Sequence, residues 1–422
     1  MKAVRCILKI LGGLFILPLV LVSLLMFYWD LRTPPSFETD PVLKLSHWTA
    51  VSSDNMNKRH NSNTDLTFFR GNYYLIHAQT KWHLEDRNGR LLVHRSRDAK
   101  KWKKVAEITV PDIDVRDPKF AVIKNRLFVY FLPNLHFDPF PETTYWTVSE
   151  DGEIWKVPSE LKTVTVLGKG RRGRQVQVTG GGWKLWRPKT FDNKTWYVAA
   201  TGKKPQYPHW ITVLLKSTDG LQWEEVSEIY TTFRTDEPAI EFMKDKGIIA
   251  TLRCGGMGTK GYEFGNPTAN TVIASSAPPY KDWSYSHSFI TRLDGETLFR
   301  VGNRIFAAGR SHLGPRFDMG NHLARKRTSL YEVKRDRLIH LFDLPSNGDT
   351  AYTGVVQKRG SVYVSYYTCP VKKDYPWIIG ICFYSKTDVR MARFNTRGLI
   401  KYANSVPEAQ FGAGRNVKKL KE

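Results

Sequence analysis

Six segments of the chain repeat one pattern, and that repetition restricts the fold more than any other feature. Each segment opens on a polar residue, runs on as a strand of alternating apolar residues, turns tightly, and returns as a second, aromatic-rich strand. The segments begin at Asp65 (DLTFFRGNYYLIHA), Asp117 (DPKFAVIKNRLFVYF), Arg187 (RPKTFDNKTWYVAA), Glu237 (EPAIEFMKDKGIIATLR), Glu296 (ETLFRVGNRIFAAGR) and Tyr352 (YTGVVQKRGSVYVSYY). Their leading residues are 52, 70, 50, 59 and 56 positions apart. The turns carry Gly, Asn or Lys, in keeping with hairpins. No long stretch of helical period interrupts them. Hairpins at this density and spacing predict an all-β, six-bladed β-propeller, closed as one domain over residues 45–398.

A second repeat agrees with the first. Ser96-Arg-Asp98-Ala-Lys-Lys-Trp102, Ser149-Glu-Asp151-Gly-Glu-Ile-Trp155 and Ser217-Thr-Asp219-Gly-Leu-Gln-Trp223 share S-x-D-[GA]-x-x-W. Ser and Asp side chains can tie a turn to its own backbone amides, and the Trp can pack beneath it. The role expected of these segments is structural. Composition allows so large a core: 41% of the 422 residues are hydrophobic and 13% aromatic, which excludes a disordered chain. Four Cys in this length exclude a disulfide-framed fold. Cys369 and Cys382 flank one short segment and are either a bridge or two free buried thiols, with Cys254 left unpaired.

Ahead of the repeats, Leu11 to Trp29 is an uncharged apolar run of 19 residues preceded by Lys2, Arg5 and Lys9. A helix needs about 20 such residues to span a bilayer. Bulky Phe27, Tyr28 and Trp29 close the run where a cleavage site would carry small residues. The expected organisation is a cytoplasmic basic segment (1–9), a transmembrane signal-anchor (10–29), a linker (30–44), the propeller, and a basic C-terminal tail (399–422). The charge bias places the propeller outside the cytoplasm, as a single-pass membrane protein on the periplasmic, extracellular or lumenal side. A cleaved signal peptide is the alternative. The formal net charge of +24 then points to anionic glycans or lipid headgroups as partners, since nucleic acid is not expected on that side.

Inner strands of a propeller converge on its axis, so the six leading residues should share one mouth. Asp65, Asp117, Glu237 and Glu296 would bring four carboxylates together there with Arg187 and Tyr352. Like charges held close raise one another's pKa and cost stability, so such a cluster points to acid–base work. Paired carboxylates suit glycoside hydrolysis, in which one protonates the leaving oxygen and the other attacks or activates water. The competing reading is a set of salt bridges to Arg116, Arg187, Arg253 and Arg310. His60, His77, His83, His312 and His322 make no metal-ligand spacing, and Gly180-Gly-Gly182 lacks the strand–helix context of a phosphate loop, so neither a metal nor another cofactor is expected.

These residues resemble the sialidase superfamily. The Ser/Asp/Trp turns resemble its Asp boxes, each one residue shorter than S-x-D-x-G-x-x-W. Asp349-Thr-Ala-Tyr352-Thr-Gly resembles the segment carrying the sialidase nucleophilic tyrosine, and Glu237 falls where that family's glutamate partners it. Arg253 and Arg310 match two of the three arginines that grip the sialic acid carboxylate, and Asp86 lies near the acid/base aspartate. The overlap covers nearly the whole propeller in blade order. Blade one departs from it: Asn63-Thr-Asp65-Leu stands where sialidases carry an arginine, and Arg70 follows five residues later. The chain is more similar to sialidase-like bacterial proteins with H-N-x-x-T-D-L (His60 to Leu66), R-D-x-K (Arg116 to Lys119) and G-D-T-x-Y (Gly348 to Tyr352) segments. Arg116-Asp117-Pro118 is also similar to a motif of five-bladed fructan and arabinan hydrolases, against which six segments argue.

The resemblance implies an exo-glycosidase releasing a terminal, acidic sugar from a glycan, with Tyr352 as nucleophile, Glu237 as its base and Asp86 as acid/base. Arg253, Arg310, Arg187, Arg116 and Glu296 would line the substrate site; Asp117 would tune a pKa if the chemistry has diverged. If the chemistry has diverged, Asp65 and Glu237 form a carboxylate pair acting on a neutral sugar. A propeller without catalysis that binds anionic glycans or partner proteins is the alternative from another class.

Overall fold

The computed structural model describes residues 37–407, apart from 38, 55–59, 84–85, 135–142, 162–166, 170–174, 178–181, 258–265, 314–323, 373 and 384–385, together with residues 13–14, 16–24 and 27. Six antiparallel sheets follow one another along the chain. Blade one holds strands His60–Phe69, Asn72–Thr80, Arg90–Ser96 and Lys103–Ile108. Blades two, four and five repeat this four-stranded order, beginning with the strands Asp114–Ile123, Thr235–Phe242 and Asp294–Val301. In blade three the inner strand is split into Lys184–Leu185 and Lys189–Thr190, both paired with Trp196–Gly202. The longest gap between repeats holds an extra hairpin, Leu167–Lys169 with Gln175–Gln177. The six hairpins expected from the sequence are therefore the two inner strands of six larger blades.

Blade six closes the ring with residues from both parts of the chain. Its strands Thr350–Lys358, Ser361–Thr368 and Asp388–Asn395 take Ser46–Val51 as their outer neighbour. Ser53 donates to Asp388 Oδ1 from its amide and its hydroxyl, both at 2.8 Å, and Trp48 Nε1 donates to the Ala99 carbonyl of blade one at 3.0 Å. Between blades the core is aromatic and aliphatic. Ile123, Phe128 and Tyr130 of blade two, for example, pack against Trp196, Val198 and Trp223 of blade three. Each such side chain, fully buried, is worth about 1.5–3 kcal/mol.

The S-x-D turns join the third and fourth strands of blades one, two and three. Asp98, Asp151 and Asp219 each accept two backbone amides through Oδ1, and Ser96, Ser149 and Ser217 donate to the same oxygens. Trp223 lies buried below its turn. Cys254, Cys369 and Cys382 are free thiols, the first two buried, so no bridge joins Cys369 to Cys382. The chain does not become a loose tail at residue 399. A helix, Thr396–Ser405, buries Leu399 and Ala403 and packs on the turn Pro41–Leu43, and residues 408–422 lie outside the described residues. Among the described residues no helix is long and apolar enough to cross a membrane. The described part of the expected anchor is helical with exposed apolar side chains, and the rest of that run lies outside the described residues.

Candidate active site

A shared irregularity builds the mouth. In five inner strands a bulge shifts the register with the second strand by one residue, two residues standing opposite one, at 63–64, 117–118, 237–238, 295–296 and 352–353. The first residue of each break has positive φ: Asn63 51°, Asp117 50°, Glu237 43°, Gly295 59° and Tyr352 49°. A bulge of this kind turns a side chain out of the alternating pattern of its strand. Pro118 and Pro238 occupy the second position, where the broken ladder asks no N–H of them.

These bulges meet. Tyr352 Oη donates to Glu237 Oε1 at 2.5 Å, and Arg253 Nη1 contacts the same oxygen. The Gly295 amide donates to Glu237 Oε2 at 2.7 Å. Gly295 leaves room for the tyrosine, since a Cβ there would stand 2.6 Å from the Tyr352 ring. Thr64 donates to the Tyr352 carbonyl at 2.7 Å, and Asn63 donates to Asp117. Arg310 lies 4.9 Å from the centre of the Tyr352 ring. From blade three, Arg187 spans to Thr297 Oγ1 at 3.1 Å and the Thr353 carbonyl at 3.2 Å.

Of the residues expected at the mouth, Asp117, Glu237 and Tyr352 are brought together there, while Arg187 is bound just beneath them by Asp65, Thr297 and the Thr353 carbonyl. Asp65 is not. It follows the blade-one bulge, is fully buried, and accepts from the Leu66 and Phe120 amides, each at 2.6 Å, while pairing with Arg187. Asn63 holds the position assigned to it, so an Asp65–Glu237 catalytic pair is not formed. Glu296 is the second residue of its bulge, behind Gly295, and is 1% exposed where Thr251 donates to its Oε1 at 2.7 Å. It is no substrate-facing group. Asp86 ties a surface turn, accepting from the Lys81 amide at 2.8 Å and the Asn88 amide at 3.0 Å. Arg116 is held by Asp114 Oδ2 at 2.7 Å. Arg253 and Arg310 both reach the site but are paired there, Arg253 with Glu237 and Asp294, Arg310 with Asp349.

Burial dominates the electrostatics. It raises Glu237 above the ordinary carboxyl range; Arg253 opposes this, and Asp294, Asp236 and Asp117 reinforce it. Burial, then the Glu237 charge, hold the Tyr352 phenol well above its usual value. For Asp294 burial acts upward, but Arg253, Arg292 and His312 outweigh it and keep the carboxyl well below the usual range. Lys119, also buried, has no hydrogen-bond partner for Nζ among the described residues. It lies 4.3 Å from the Trp186 ring centre and 5.9 Å from that of Tyr352. Burial lowers its pKa, against Asp117 and Asp65. A hydrogen-bonded phenol–carboxylate pair between arginines can present a phenolic oxygen whose proton leaves to the carboxylate as it attacks.

Sequence reasoning passed over Lys119, Asp294 and Asp349. Lys119 and Asp349 stand inside the R-D-x-K and G-D-T-x-Y segments, so a signal for them existed. Asp294 precedes its bulge and carried none. The spacing of the five histidines in the sequence carries no metal-ligand pattern. In the structure His60 and His83 converge on Asp349, and His322 lies outside the described residues.

No protein-family model and no curated protein sequence matches this chain. Solved structures do. A Trypanosoma rangeli sialidase holding 2,3-difluorosialic acid as a covalent intermediate aligns over 88% of this chain and 61% of its own, with 13% identity and a TM-score of 0.61. An α-L-arabinofuranosidase from Fusarium graminearum with an iminosugar inhibitor aligns over 83% and 98%, with 13% identity and a TM-score of 0.55. A Dyadobacter fermentans protein of unknown function covers 83% and 99%, at 16% identity and a TM-score of 0.59. At such identities the likeness concerns the fold. The blade order, the strand pairing and these neighbours agree that the protein is a sialidase-like six-bladed β-propeller.

Proposed function

We propose that the protein is a glycoside hydrolase that releases a terminal, acidic sugar from a glycan, with Tyr352 as nucleophile and Glu237 as the base that takes its proton. The observation that carries this reading is the 2.5 Å hydrogen bond from Tyr352 Oη to Glu237 Oε1 at the convergence of the bulged inner strands. A neutral attacking phenol avoids the repulsion that a carboxylate would meet at an anionic sugar, and tyrosine nucleophiles are a known departure from the two-carboxylate scheme. Arg253, partly exposed beside the pair, and Arg310 against the Tyr352 ring favour a ligand bearing a carboxylate. Asp117 is the better proton donor to the leaving oxygen than Asp86. It is half-buried and close enough to raise both Glu237 and Tyr352, whereas Asp86 is bonded to two turn amides.

The apolar N-terminal run anchors the chain in a membrane with the propeller on the extracytoplasmic side, where its positive charge attracts anionic glycans or headgroups. The test is hydrolysis of fluorogenic glycosides of sialic acid, related acidic sugars, and neutral hexoses and pentoses by the full chain. Tyr352→Phe should cost at least about 10³-fold in kcat on an acidic sugar. Asp117→Asn should cost about 10²–10⁴-fold on unactivated leaving groups and less on activated ones. No turnover across the panel, with glycans still bound, would instead support a propeller that only binds. Activity surviving in Tyr352→Phe would end the tyrosine mechanism.

A further inference from the structure

The two motifs that set this chain apart from sialidases, H-N-x-x-T-D-L and G-D-T-x-Y, have no part in the proposed chemistry beyond Tyr352. One residue of each, His60 and Asp349, meets His83 beside the mouth. Among the described residues, His60, His83 and Asp349 form the group of His, Cys, Asp or Glu side chains whose ligand atoms all lie within 4.8 Å of one another. Asp349 Oδ2 is 2.6 Å from His83 Nδ1 and 3.4 Å from His60 Nε2. Its other oxygen is turned away and fully engaged: Tyr367 Oη donates to Oδ1 at 2.9 Å, Trp377 Nε1 at 2.8 Å, and Arg310 Nη2 stands 3.4 Å away.

We propose that His60 Nε2, His83 Nδ1 and Asp349 Oδ2 bind a divalent transition cation of the zinc class. Two imidazoles and one carboxylate suit such ions, and a hard cation such as calcium would require more oxygen ligands. Ligands about 2.0–2.2 Å from a tetrahedral zinc stand roughly 3.3 Å apart, so the His60–Asp349 separation already fits and His83 needs to withdraw by less than an ångström. A second shell is in place. The donors to Oδ1 fix the carboxylate, and His60 Nδ1 lies 3.4 Å from Thr387 Oγ1. Asp349 and His60 are buried, the His83 side chain is 19% exposed, and water would supply the fourth zinc ligand. The site ties the connection after the second strand of blade one to blade six. Through Asp349 and Arg310 it braces the ring of Tyr352, so the cation is a positioning element rather than a participant in bond cleavage.

The test uses the full chain in detergent, stripped with a chelator and titrated calorimetrically with Zn²⁺, with Ca²⁺ as the contrast. About one equivalent of zinc should bind, Ca²⁺ should not, and zinc should raise the thermal midpoint. In His83→Ala the zinc affinity should fall at least about tenfold and the zinc-induced shift should vanish, while wild type and variant melt alike in chelator. The cobalt-loaded wild type, which requires no variant, should show paramagnetically shifted imidazole N–H resonances from two histidines. The proposal is overturned by the absence of saturable zinc binding up to about 1 mM, by unchanged affinity in His83→Ala, or by a cobalt spectrum without imidazole ligation. These readouts do not depend on turnover, so they stand apart from the glycosidase reading.

Discussion

Glu296 Oε1 accepts a hydrogen bond from Thr251, but Oε2 meets no hydrogen-bond partner among the described residues. Burial therefore keeps the carboxyl protonated well above its usual range, with Glu237 and Asp294 adding to the shift and Thr251 opposing it. A raised folded-state pKa contributes stability that is fully present below the unfolded value, about 4.5, and is lost as pH rises through the folded one. Glu296→Gln keeps the shape of the neutral acid and removes the titration. Its stability relative to wild type should be within about 1 kcal/mol at pH 5 and should then improve by about 1.4 kcal/mol per pH unit until the wild-type group ionises. Urea unfolding of both proteins at pH 5 and pH 8 measures this, and an equal difference at the two values would refute it. Lys119 makes the complementary case, a buried ammonium held by two aromatic faces and the nearby Asp117 and Asp65 charges. Its place in R-D-x-K was visible in the sequence. What it faces was not, because Trp186 and Tyr352 come from blades three and six.

The repeated hairpin is the element that the sequence made legible, because apolar alternation, a tight turn and a fixed spacing are local properties. The bulges are not. A period of two shows which residues share a face, but one extra residue reverses the pattern without changing composition. The leading polar residue of a repeat is therefore the axial one where the bulge begins on it, at Asp117, Glu237 and Tyr352. It is two residues off in blade one, where Asn63 leads rather than Asp65, and one off in blade five, where Gly295 leads rather than Glu296. The S-x-D turns were legible because their bonds are local. They also demand a left-handed residue after the Asp, which is Gly220 at φ 78° and Ala99 at φ 60°. A Cβ on Gly220 would stand 2.6 Å from Ile123 Cδ1 and 2.7 Å from Tyr130 Oη. Gly220→Ala should cost about 2–4 kcal/mol, from backbone strain plus overpacking. Ala99→Gly, which relieves strain but loses a buried methyl, should change stability by less than about 1 kcal/mol. Chemical denaturation of the two variants distinguishes them, and equal effects would mean that the turn tolerates a side chain in blade three.

At the scale of the whole ring, closure decides both stability and orientation. Inner strands run from the mouth to the opposite face, and the antiparallel order of blade six then fixes the direction of its outer strand. Ser46 pairs with Arg393, which pairs with Tyr363, level with Val356 at the far end of the inner strand. Val51 pairs with Val389, level with Tyr367 and Ala351 at the mouth. The chain thus enters the propeller at the face opposite the mouth, where the helix Thr396–Ser405 also packs on Pro41–Leu43. The proposed N-terminal anchor would then join the ring at the face opposite the Tyr352–Glu237 pair. The same geometry makes the closing strand, and not the N-terminal apolar run, part of the ring. Deleting residues 1–36 should leave the thermal midpoint within a few degrees, since the closing strand is kept. Deleting residues 1–52 exposes the edge of Asp388–Asn395, removes the Trp48 bond to blade one, and should lower the midpoint by about 10 °C or more. Calorimetric scans of the two truncations read this directly. Similar midpoints would show that the ring is held by its inner strands alone and that the outer strand of blade six is dispensable.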